Sequence, residues 1–326
     1  MARIGILGAG AWGTALALVA ARAGHRVVLV ARDPALVEEI RSTRENRRHL
    51  PGHRLPEAIA PDTDPAFLAD TDLLLVAVPT QALRSALAPL PEAGCPLLLC
   101  CKGVELASGL RPSEVVRALR PGAEVGALSG PSFAAEVARG LPTAVSLAFP
   151  SLERARAAAA LLAGPVFRPY PTDDLVGVEL GGALKNVVAI AAGIVMGRGL
   201  GENARAALIT RGLSEMARLV EALGGRRTTL MGLSGLGDLV LSATSPTSRN
   251  TSFGLALGRG RPLGELLGAG AALAEGTFTA SAACTLAARL GLELPITDAV
   301  RRVVSGETSI DAAIEELLAR PLPESE

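Results

Sequence analysis

A glycine-rich segment lies close to the start of the chain and limits the folds that the sequence can adopt. Residues 3–7, Arg-Ile-Gly-Ile-Leu, predict a short buried strand, and residues 8–13 read Gly-Ala-Gly-Ala-Trp-Gly and open a helical run. A second apolar strand is predicted at 27–30, so the three pieces complete a strand–helix–strand unit. A glycine loop in this context predicts a dinucleotide-binding domain built on a parallel sheet.

Each glycine of the loop has a different physical task. Gly8 permits the tight turn, Gly10 lets a pyrophosphate approach the backbone, and Gly13 lets the helix pack against the strand. The alternative is a signal peptide or short membrane span, because residues 4–21 carry no charge. Glycines would weaken such a helix by about 1 kcal/mol each relative to Ala, so a nucleotide loop explains them better.

The composition of the chain indicates which class of ligand it binds and in which cellular compartment it is expected. The 326 residues carry 32 basic and 32 acidic side chains and few aromatic ones. Such a balance gives no electrostatic reason to expect nucleic acid, so small molecules are the expected ligands. The four cysteines show no metal-binding or disulfide spacing, which favours a reducing cytoplasm and predicts no metal site.

The order of apolar runs predicts two domains. Further buried strands are expected at 73–78, 97–101, 124–128 and 144–147. Their alternation with helical stretches predicts an α/β, Rossmann-type, doubly wound parallel sheet over residues 1–171. An all-helical substrate-binding domain is expected over 172–326, where segment 182–197 is too short to span a bilayer and predicts a buried central helix. The apolar character of this half makes a homodimer plausible.

The residues after the second predicted strand bear on the coenzyme. Arg32 stands where an acidic residue would bind the adenosine 2′-hydroxyl of NADH, so it favours the 2′-phosphate of NADPH. Asp33 follows and precedes Pro34, a pattern that suits either a ribose contact or the N-cap of the next helix. NADPH is therefore favoured and NADH stays open.

Elimination brings the two lysines forward as proton donors. Tyr170 has Asp174 rather than Lys four residues later, and all three histidines lie within the first 53 residues. Lys185 lies on the predicted buried helix, with Gly181 one turn earlier expected to leave space for a ligand beside the amine. Lys102 follows a predicted strand, at the edge where parallel sheets bind ligands. Either lysine could instead serve structure, Lys185 as a core ion pair and Lys102 as a solvated side chain.

Two polar stretches are candidates for holding an anion, and a third carries a single carboxylate. Residues 129–132, Ser-Gly-Pro-Ser, precede a helical run and offer backbone N–H groups and hydroxyls. Residues 244–252 contain six hydroxyls, a guanidinium and an amide, which suits a phosphate pocket or a solvated loop with a helix cap. Asp238 is expected on a glycine-framed turn, either shaping it or bonding to a substrate hydroxyl or the lysine.

Taken together, these segments resemble the bacterial NAD(P)-dependent glycerol-3-phosphate dehydrogenase family. The similar segments follow one another through nearly the whole chain: GAGAWGTALA at 8–17, CKGVE at 101–105, SGPSFAAEV at 129–137, ELGGALKNVVAIAAGI at 179–194, NARAALITRGL at 203–213, GLGDLVL at 235–241, SRN at 248–250 and AEG at 274–276. The resemblance implies reduction of dihydroxyacetone phosphate to sn-glycerol 3-phosphate for phospholipid synthesis. It also implies that Lys185 is the proton-transfer residue.

The resemblance also implies two sets of binding residues. The substrate set is Lys102, Gly130, Ser132, Asp238, Ser248, Arg249 and Asn250. The coenzyme set is Gly8, Gly10, Ala11, Trp12, Gly13, Arg32, His49, Lys102, Ala134, Arg249, Leu273 and Glu275. Burial and the nearby charges of Lys102 and Arg249 are expected to lower the pKa of Lys185 towards ~7 to 8. The alternatives are a two-domain dehydrogenase acting on a β-hydroxyacid and an inactive NADPH-binding sensor.

Overall fold

The computed structural model describes residues 1–91, 94–268 and 274–321. Its strands are β1 Arg3–Leu7, β2 Arg26–Val30, β3 Glu45–Asn46, β4 Leu50–Arg54, β5 Ile59–Asp62, β6 Leu73–Val76, β7 Leu97–Leu99, β8 Val125–Ser129, β9 Thr143–Ala148 and β10 Phe167–Thr172. The helices of the sheet half are α1 Ala11–Arg22, α2 Pro34–Thr43, α3 Leu83–Leu87, α4 Pro112–Leu119, α5 Ala134–Arg139 and α6 Leu152–Leu162.

The second half of the described chain is helical. Its helices are α7 Leu175–Gly197, α8 Gly201–Ala222, α9 Arg227–Leu230, α10 Asp238–Thr244, α11 Arg249–Gly258, α12 Leu263–Leu267, α13 Glu275–Arg289, α14 Pro295–Val304 and α15 Ile310–Leu318. A π-helical turn, Leu233–Gly237, leads directly into α10. The predicted fold class, a Rossmann-type sheet followed by a helical half, is confirmed.

Eight strands form one sheet in the order β10-β9-β8-β7-β6-β1-β2-β5. All neighbouring strands run parallel except β8 and β9, which are antiparallel, so the expectation of a wholly parallel sheet is wrong at this one junction. The central strands are apolar and buried on both faces, as strands covered by helices on both sides must be. The order of the strands switches sides at β1, because β2 and β5 lie on one side of it and β6 to β10 on the other. Ligands bind at the carboxyl ends of the strands next to such a switch point.

The long helix α7 forms the centre of the helical half. Its 23 residues pack against α8, α10, α11 and α13, and almost all of them are buried. Asp174 caps its first turn by accepting a hydrogen bond from the N–H of Gly177 at 2.8 Å. The helix is long and apolar enough to cross a bilayer, so the expectation of too short a segment is wrong. Its burial within the protein agrees with the other part of that expectation, a central core helix.

The contact between α7 and α11 brings two halves of a site together. Gly254 of α11 lies so close to α7 that a Cβ there would be 2.0 Å from the carbonyl oxygen of Ile190. Only glycine permits this approach without a shift of backbone. The two helices therefore hold Lys185 and Arg249 beside the same cleft.

Candidate active site

A cleft of about 580 Å³ lies where the sheet meets α7 and α11. Its floor includes residues that directly follow β1, β6 and β7. These residues lie at the carboxyl ends of the strands next to the switch in strand order. Twelve of the residues expected at the site line this cleft: Gly10, Ala11, Trp12, His49, Lys102, Ser132, Ala134, Lys185, Ser248, Arg249, Asn250 and Glu275. Residues far apart in sequence thus meet in one place.

The glycine loop leaves the start of α1 open to the cleft. Gly8 has a φ of +108°, which side chains rarely tolerate, and a Cβ on Gly13 would lie 1.9 Å from the carbonyl oxygen of Gly8. A Cβ on Gly10 would meet nothing within 4 Å. No side chain caps α1, so the N–H groups of its first turn and its positive dipole are directed at the cleft.

Two lysines share one buried carboxylate at the opposite wall. Asp238 accepts from Lys185 Nζ at 3.0 Å through Oδ1 and from Lys102 Nζ at 2.6 Å through Oδ2. Lys185 also donates to Ser242 Oγ at 2.5 Å, and Lys102 to the carbonyl oxygen of Gly130 at 3.1 Å. Asp238 is only 3% exposed, so it acts from behind the cleft by holding both amines.

The balance of burial and charge sets the protonation of this cluster. Burial lowers the pKa of Lys185 to about 8; the carboxylate of Asp238 opposes that shift, and the cations Lys102 and Arg249 add to it. Burial alone would raise the pKa of Asp238, but the two lysines outweigh it and hold that pKa below its usual value. Lys185 is therefore a buried amine that can gain or lose a proton near neutral pH, as the sequence analysis expected.

The loop after β8 and the start of α11 supply polar groups on either side of the lysines. Ser132 Oγ donates to the carbonyl oxygen of Gly130 at 2.9 Å, which fixes the loop that also accepts from Lys102. Ser248 is the N-cap of α11 and accepts from the N–H of Thr251 at 3.4 Å. Arg249 is the first residue of that helix and lines the cleft. An anion placed here would meet a guanidinium and a helix N-terminus.

A pair of amides joins three helices beneath the cleft. Asn250 Nδ2 donates to Asn186 Oδ1 at 2.9 Å, and Asn250 Oδ1 accepts from the N–H of Gly276 at 3.1 Å. Glu275 starts α13 next to this pair, and burial raises its pKa despite the nearby charge of Arg249. The amides therefore hold α7, α11 and α13 in register at the site.

Some expected site residues lie elsewhere. Arg32 is exposed at the carboxyl end of β2 and does not line the cleft, and Leu273 lies outside the described residues. Asp238 does not sit on a turn, because the chain there continues from a π-helical turn into α10. Gly181 leaves no ligand space, since a Cβ there would be 2.8 Å from the carbonyl oxygen of Ser234. Its role is to let α7 approach that backbone.

Several residues of the site were not predicted from the sequence. Ser242, which accepts from Lys185, lies four residues after Asp238 on the same face of α10. That spacing was the available signal once the segment was recognised as helical. Asn186 directly follows Lys185 and is one of only four asparagines in the chain. Cys101 also lines the cleft. Burial raises the pKa of its thiol to about 12, so this side chain stays uncharged at neutral pH.

Among the described residues, no group of three or more His, Cys, Asp or Glu side chains could hold a metal ion.

Comparison with known proteins gives consistent matches along the chain. Residues 3–155 match the family model described as the NAD-dependent glycerol-3-phosphate dehydrogenase N-terminus, and residues 174–315 match the model of its C-terminus. The chain is 53% identical over 323 residues to a glycerol-3-phosphate dehydrogenase (NAD(P)+) of Caulobacter vibrioides, covering 98% of each. It is 52% identical to that of Rhodospirillum rubrum, covering 98% of this chain and 93% of the relative.

A solved structure is also similar throughout. The crystal structure of glycerol-3-phosphate dehydrogenase from Coxiella burnetii has a TM-score of 0.92 and 42% sequence identity, with 98% of this chain and 99% of that chain covered. Both the fold and the order of the two halves are therefore shared.

Proposed function

This chain belongs to the NAD-dependent glycerol-3-phosphate dehydrogenase family, and from that premise we propose which of its residues carry out the reaction and with which coenzyme. It is a glycerol-3-phosphate dehydrogenase that uses a nicotinamide coenzyme. The direction proposed is reduction of dihydroxyacetone phosphate to sn-glycerol 3-phosphate, which supplies the backbone of glycerophospholipids. The observation that carries the proposal is the pairing of buried Lys185 and partly buried Lys102 with the one carboxylate of Asp238, beside a cationic helix start.

The residues around the glycine loop fit a dinucleotide. The uncapped start of α1 offers N–H groups to a pyrophosphate, and the missing Cβ of Gly10 leaves room for it. The indole Nε1–H of Trp12 is buried without a hydrogen-bond partner among the described residues, although Trp12 lines the cleft. When bound, the coenzyme supplies a hydride from its nicotinamide ring. Gly8, Gly10, Ala11, Trp12, Gly13, His49, Ala134, Leu273 and Glu275 are the residues proposed to hold it.

Lys185 is the proposed proton donor. With a pKa of about 8, its protonated form outnumbers the neutral amine by about ten to one at pH 7. The ammonium can therefore give a proton to the oxygen of the ketone as negative charge develops there, and the neutral amine can take it back in oxidation. Asp238 and Ser242 hold the amine in place, which limits its motion during the transfer.

The phosphate of the substrate is proposed to bind between Arg249 and the start of α11. A guanidinium forms strong charge-assisted hydrogen bonds to phosphate, and the helix N-terminus adds backbone donors. Ser248, Asn250 and Ser132 lie along the same cleft. Binding at this end orients the carbonyl towards Lys185, so energy from a group that does not react contributes to catalysis. Lys102 and Gly130 complete the proposed substrate set.

NADPH is the proposed coenzyme, and two further properties belong with the proposal. Arg32 follows β2, and Asp33 serves as the N-cap of α2 by accepting from the N–H of Ala35 at 2.9 Å. The cap therefore engages part of the carboxylate that a ribose 2′-hydroxyl would contact. A domain boundary at 171/172 and a homodimer through the helical half are also proposed, the latter supported by exposed apolar side chains such as Leu200 and Met231. Four unpaired cysteines fit a cytoplasmic location.

The test is a coupled measurement of substrate and coenzyme choice. Absorbance at 340 nm is followed with NADPH or NADH and with dihydroxyacetone phosphate or a series of 3-carbon and 4-carbon β-keto acids. The proposal expects oxidation of NADPH with dihydroxyacetone phosphate and little with the carboxylates. Turnover confined to the carboxylates would assign the chain to a different dehydrogenase activity, and light scattering of the same sample tests the homodimer.

A further inference from the structure

A basic hairpin tip lies beside the turn that follows β2. Strands β3 and β4 form a two-stranded antiparallel hairpin whose tip reads Arg47-Arg48-His49. Arg48 Nη1 forms an ion pair with Asp33 Oδ2, which joins the tip to the start of α2. His49, the next residue, lines the cleft. The hairpin therefore reaches from the cleft to the position where the adenosine ribose of a dinucleotide binds in this kind of fold.

The hairpin is firmly attached to the dinucleotide loop. Asn46 is completely buried, and its Nδ2 donates to the carbonyl oxygen of Ala9 and to Thr14 Oγ1, both at 2.8 Å. Its Oδ1 accepts from the N–H of His49 at 3.2 Å. Because one amide fastens the glycine loop, α1 and the hairpin tip together, Arg48 has a defined place relative to the coenzyme site.

Both carboxylate oxygens of Asp33 already accept a hydrogen bond. Oδ1 accepts from the N–H of Ala35 in the helix cap, and Oδ2 is bound by Arg48. The hydrogen bond from Arg48, together with that from Ala35, holds the pKa of Asp33 below its usual value, so the carboxylate remains charged and paired at neutral pH. An acidic residue that would bind the 2′-hydroxyl of NADH is thus engaged elsewhere.

We propose that Arg48 is a coenzyme-specificity residue that, together with Arg32, binds the 2′-phosphate of NADPH. The inference rests on the proposed NADPH function. Arg48 uses only Nη1 on Asp33, and its other guanidinium N–H groups make no hydrogen bond to the described residues. Arg32, Asp33 and Arg48 together carry one net positive charge beside the ribose position, which attracts a phosphate dianion. The fork of donors on an arginine matches phosphate oxygens.

A purely structural role for Arg48 explains less. The side chains of Arg48 and Asp33 are 49% and 42% exposed, and ion pairs at such exposure contribute little to stability. Asp33 already has a backbone donor in the helix cap without Arg48. Neutralising Asp33 is the one alternative role that remains, and it can be separated from phosphate binding by experiment.

The first measurement compares two nucleotides that differ by the 2′-phosphate. Dissociation constants for 2′,5′-ADP and for ADP are measured by calorimetry on the full chain. Arg48→Gln is expected to raise the dissociation constant of 2′,5′-ADP about tenfold relative to that of ADP. A change of this size corresponds to the loss of one charged hydrogen bond. Arg47→Gln is the matched control, because Arg47 is the neighbouring cation but pairs with Glu45 at 3.3 Å instead. An equal effect of both variants would mean that only general positive charge matters and would overturn the inference.

The second measurement removes the carboxylate. Asn at position 33 can still cap α2, so Asp33→Asn is the background in which Arg48 has no charge to neutralise. If Arg48 binds phosphate, Arg48→Gln should also raise the dissociation constant of 2′,5′-ADP about tenfold in this background. If the effect disappears, Arg48 acts only through Asp33 and does not bind phosphate.

Kinetics separate a failure of this inference from a failure of the proposed function. In the wild type, activity with dihydroxyacetone phosphate tests the function, whatever Arg48 does. In Arg48→Gln, the ratio of kcat/KM for NADPH to that for NADH is expected to fall about tenfold, through the KM of NADPH. An active wild type whose coenzyme ratio is the same in Arg48→Gln would overturn the role of Arg48 and leave the dehydrogenase function standing.

Discussion

Lys185 and Asp238 form an ion pair inside the protein, with Nζ 3.0 Å from Oδ1 and both side chains less than one-tenth exposed. The other oxygen of Asp238 binds Lys102 at 2.6 Å, so one carboxylate supports two amines. Because the carboxylate neutralises only one of the two cations, the cluster keeps a net positive charge. This charge suits a phosphate ester whose carbonyl oxygen becomes negative during reduction.

The pH dependence of the two reaction directions follows from the pKa of Lys185. Burial lowers that pKa from 10.5 to about 8, so the amine is protonated below pH 8 and neutral above it. Reduction of dihydroxyacetone phosphate needs the protonated form, and its kcat/KM should fall as pH rises through about 8. Oxidation of glycerol 3-phosphate needs the neutral form and should rise over the same range. Initial rates from pH 6 to 10 check this, and flat profiles in both directions would contradict it.

Asp238→Asn should shift this pH dependence and destabilise the protein. The carboxylate raises the pKa of Lys185 against the effect of burial, so its loss should move the midpoint of the oxidation profile to lower pH. The buried amine of Lys185 and the partly buried amine of Lys102 would also lose their charged partner, at a cost of about 3–5 kcal/mol in the free energy of unfolding. Ser242→Ala is the control, with the ion pair intact and a loss of about 1 kcal/mol. Urea unfolding and pH profiles measure both effects; an unchanged midpoint would exclude this role for Asp238.

Arg249→Gln should affect the phosphate ester far more than an uncharged analogue. Loss of a charge-assisted contact to phosphate is expected to raise the KM of dihydroxyacetone phosphate by about ten- to a hundredfold. Dihydroxyacetone lacks the phosphate, so the ratio of kcat/KM between the two ketones should fall by a similar factor. Steady-state kinetics with both substrates provide the measurement. A ratio equal to that of the wild type would place the phosphate elsewhere.

Two glycine substitutions should separate folding from coenzyme binding. A Cβ at Gly13 would lie 1.9 Å from the carbonyl oxygen of Gly8, so Gly13→Ala should lower the free energy of unfolding by about 3 kcal/mol. A Cβ at Gly10 meets open space, so Gly10→Ala should fold like the wild type but bind NADPH at least about tenfold more weakly. Chemical unfolding and nucleotide titration test the pair. If Gly10→Ala bound NADPH with wild-type affinity, the pyrophosphate would not bind at this loop.

The central strands of the sheet could be predicted from sequence, and its edges could not. Strand β6 is a short apolar run, and β1 is apolar after Arg3, because both faces of these strands are covered. The edge strands β5 and β10 contain proline, Pro61 in one and Pro169 and Pro171 in the other. Proline is tolerated at edges because no neighbouring strand needs its missing N–H, but it removes the strand signal from the sequence. The antiparallel pairing of β8 and β9 leaves no local trace at all.

The residues of the site could be predicted better than their contacts. Lys185 and Lys102 could be found by elimination, because Tyr170 lacks a lysine four residues later and no histidine follows residue 53. Their shared partner could not be read from sequence, since 53 residues separate Lys185 from Asp238 and the orientation of α10 depends on a π-helical turn. The glycines of this π-helical segment predict a turn at Asp238, although the chain there is helical. Ser242 was missed for the same reason, because its position on the same face as Asp238 depends on α10. Tertiary packing, rather than local pattern, decides such contacts.

In the proposed mechanism, the amine of Lys185 exchanges a proton with the substrate oxygen. The most direct test is stopped-flow reduction of dihydroxyacetone phosphate at 340 nm by Lys185→Met, with Lys185→Arg as a variant that keeps the charge but cannot give up a proton at this pH. Both variants are expected to bind NADPH within about twofold of the wild type and to transfer hydride at least about a thousandfold more slowly. A rate within tenfold of the wild type in either variant would contradict the account.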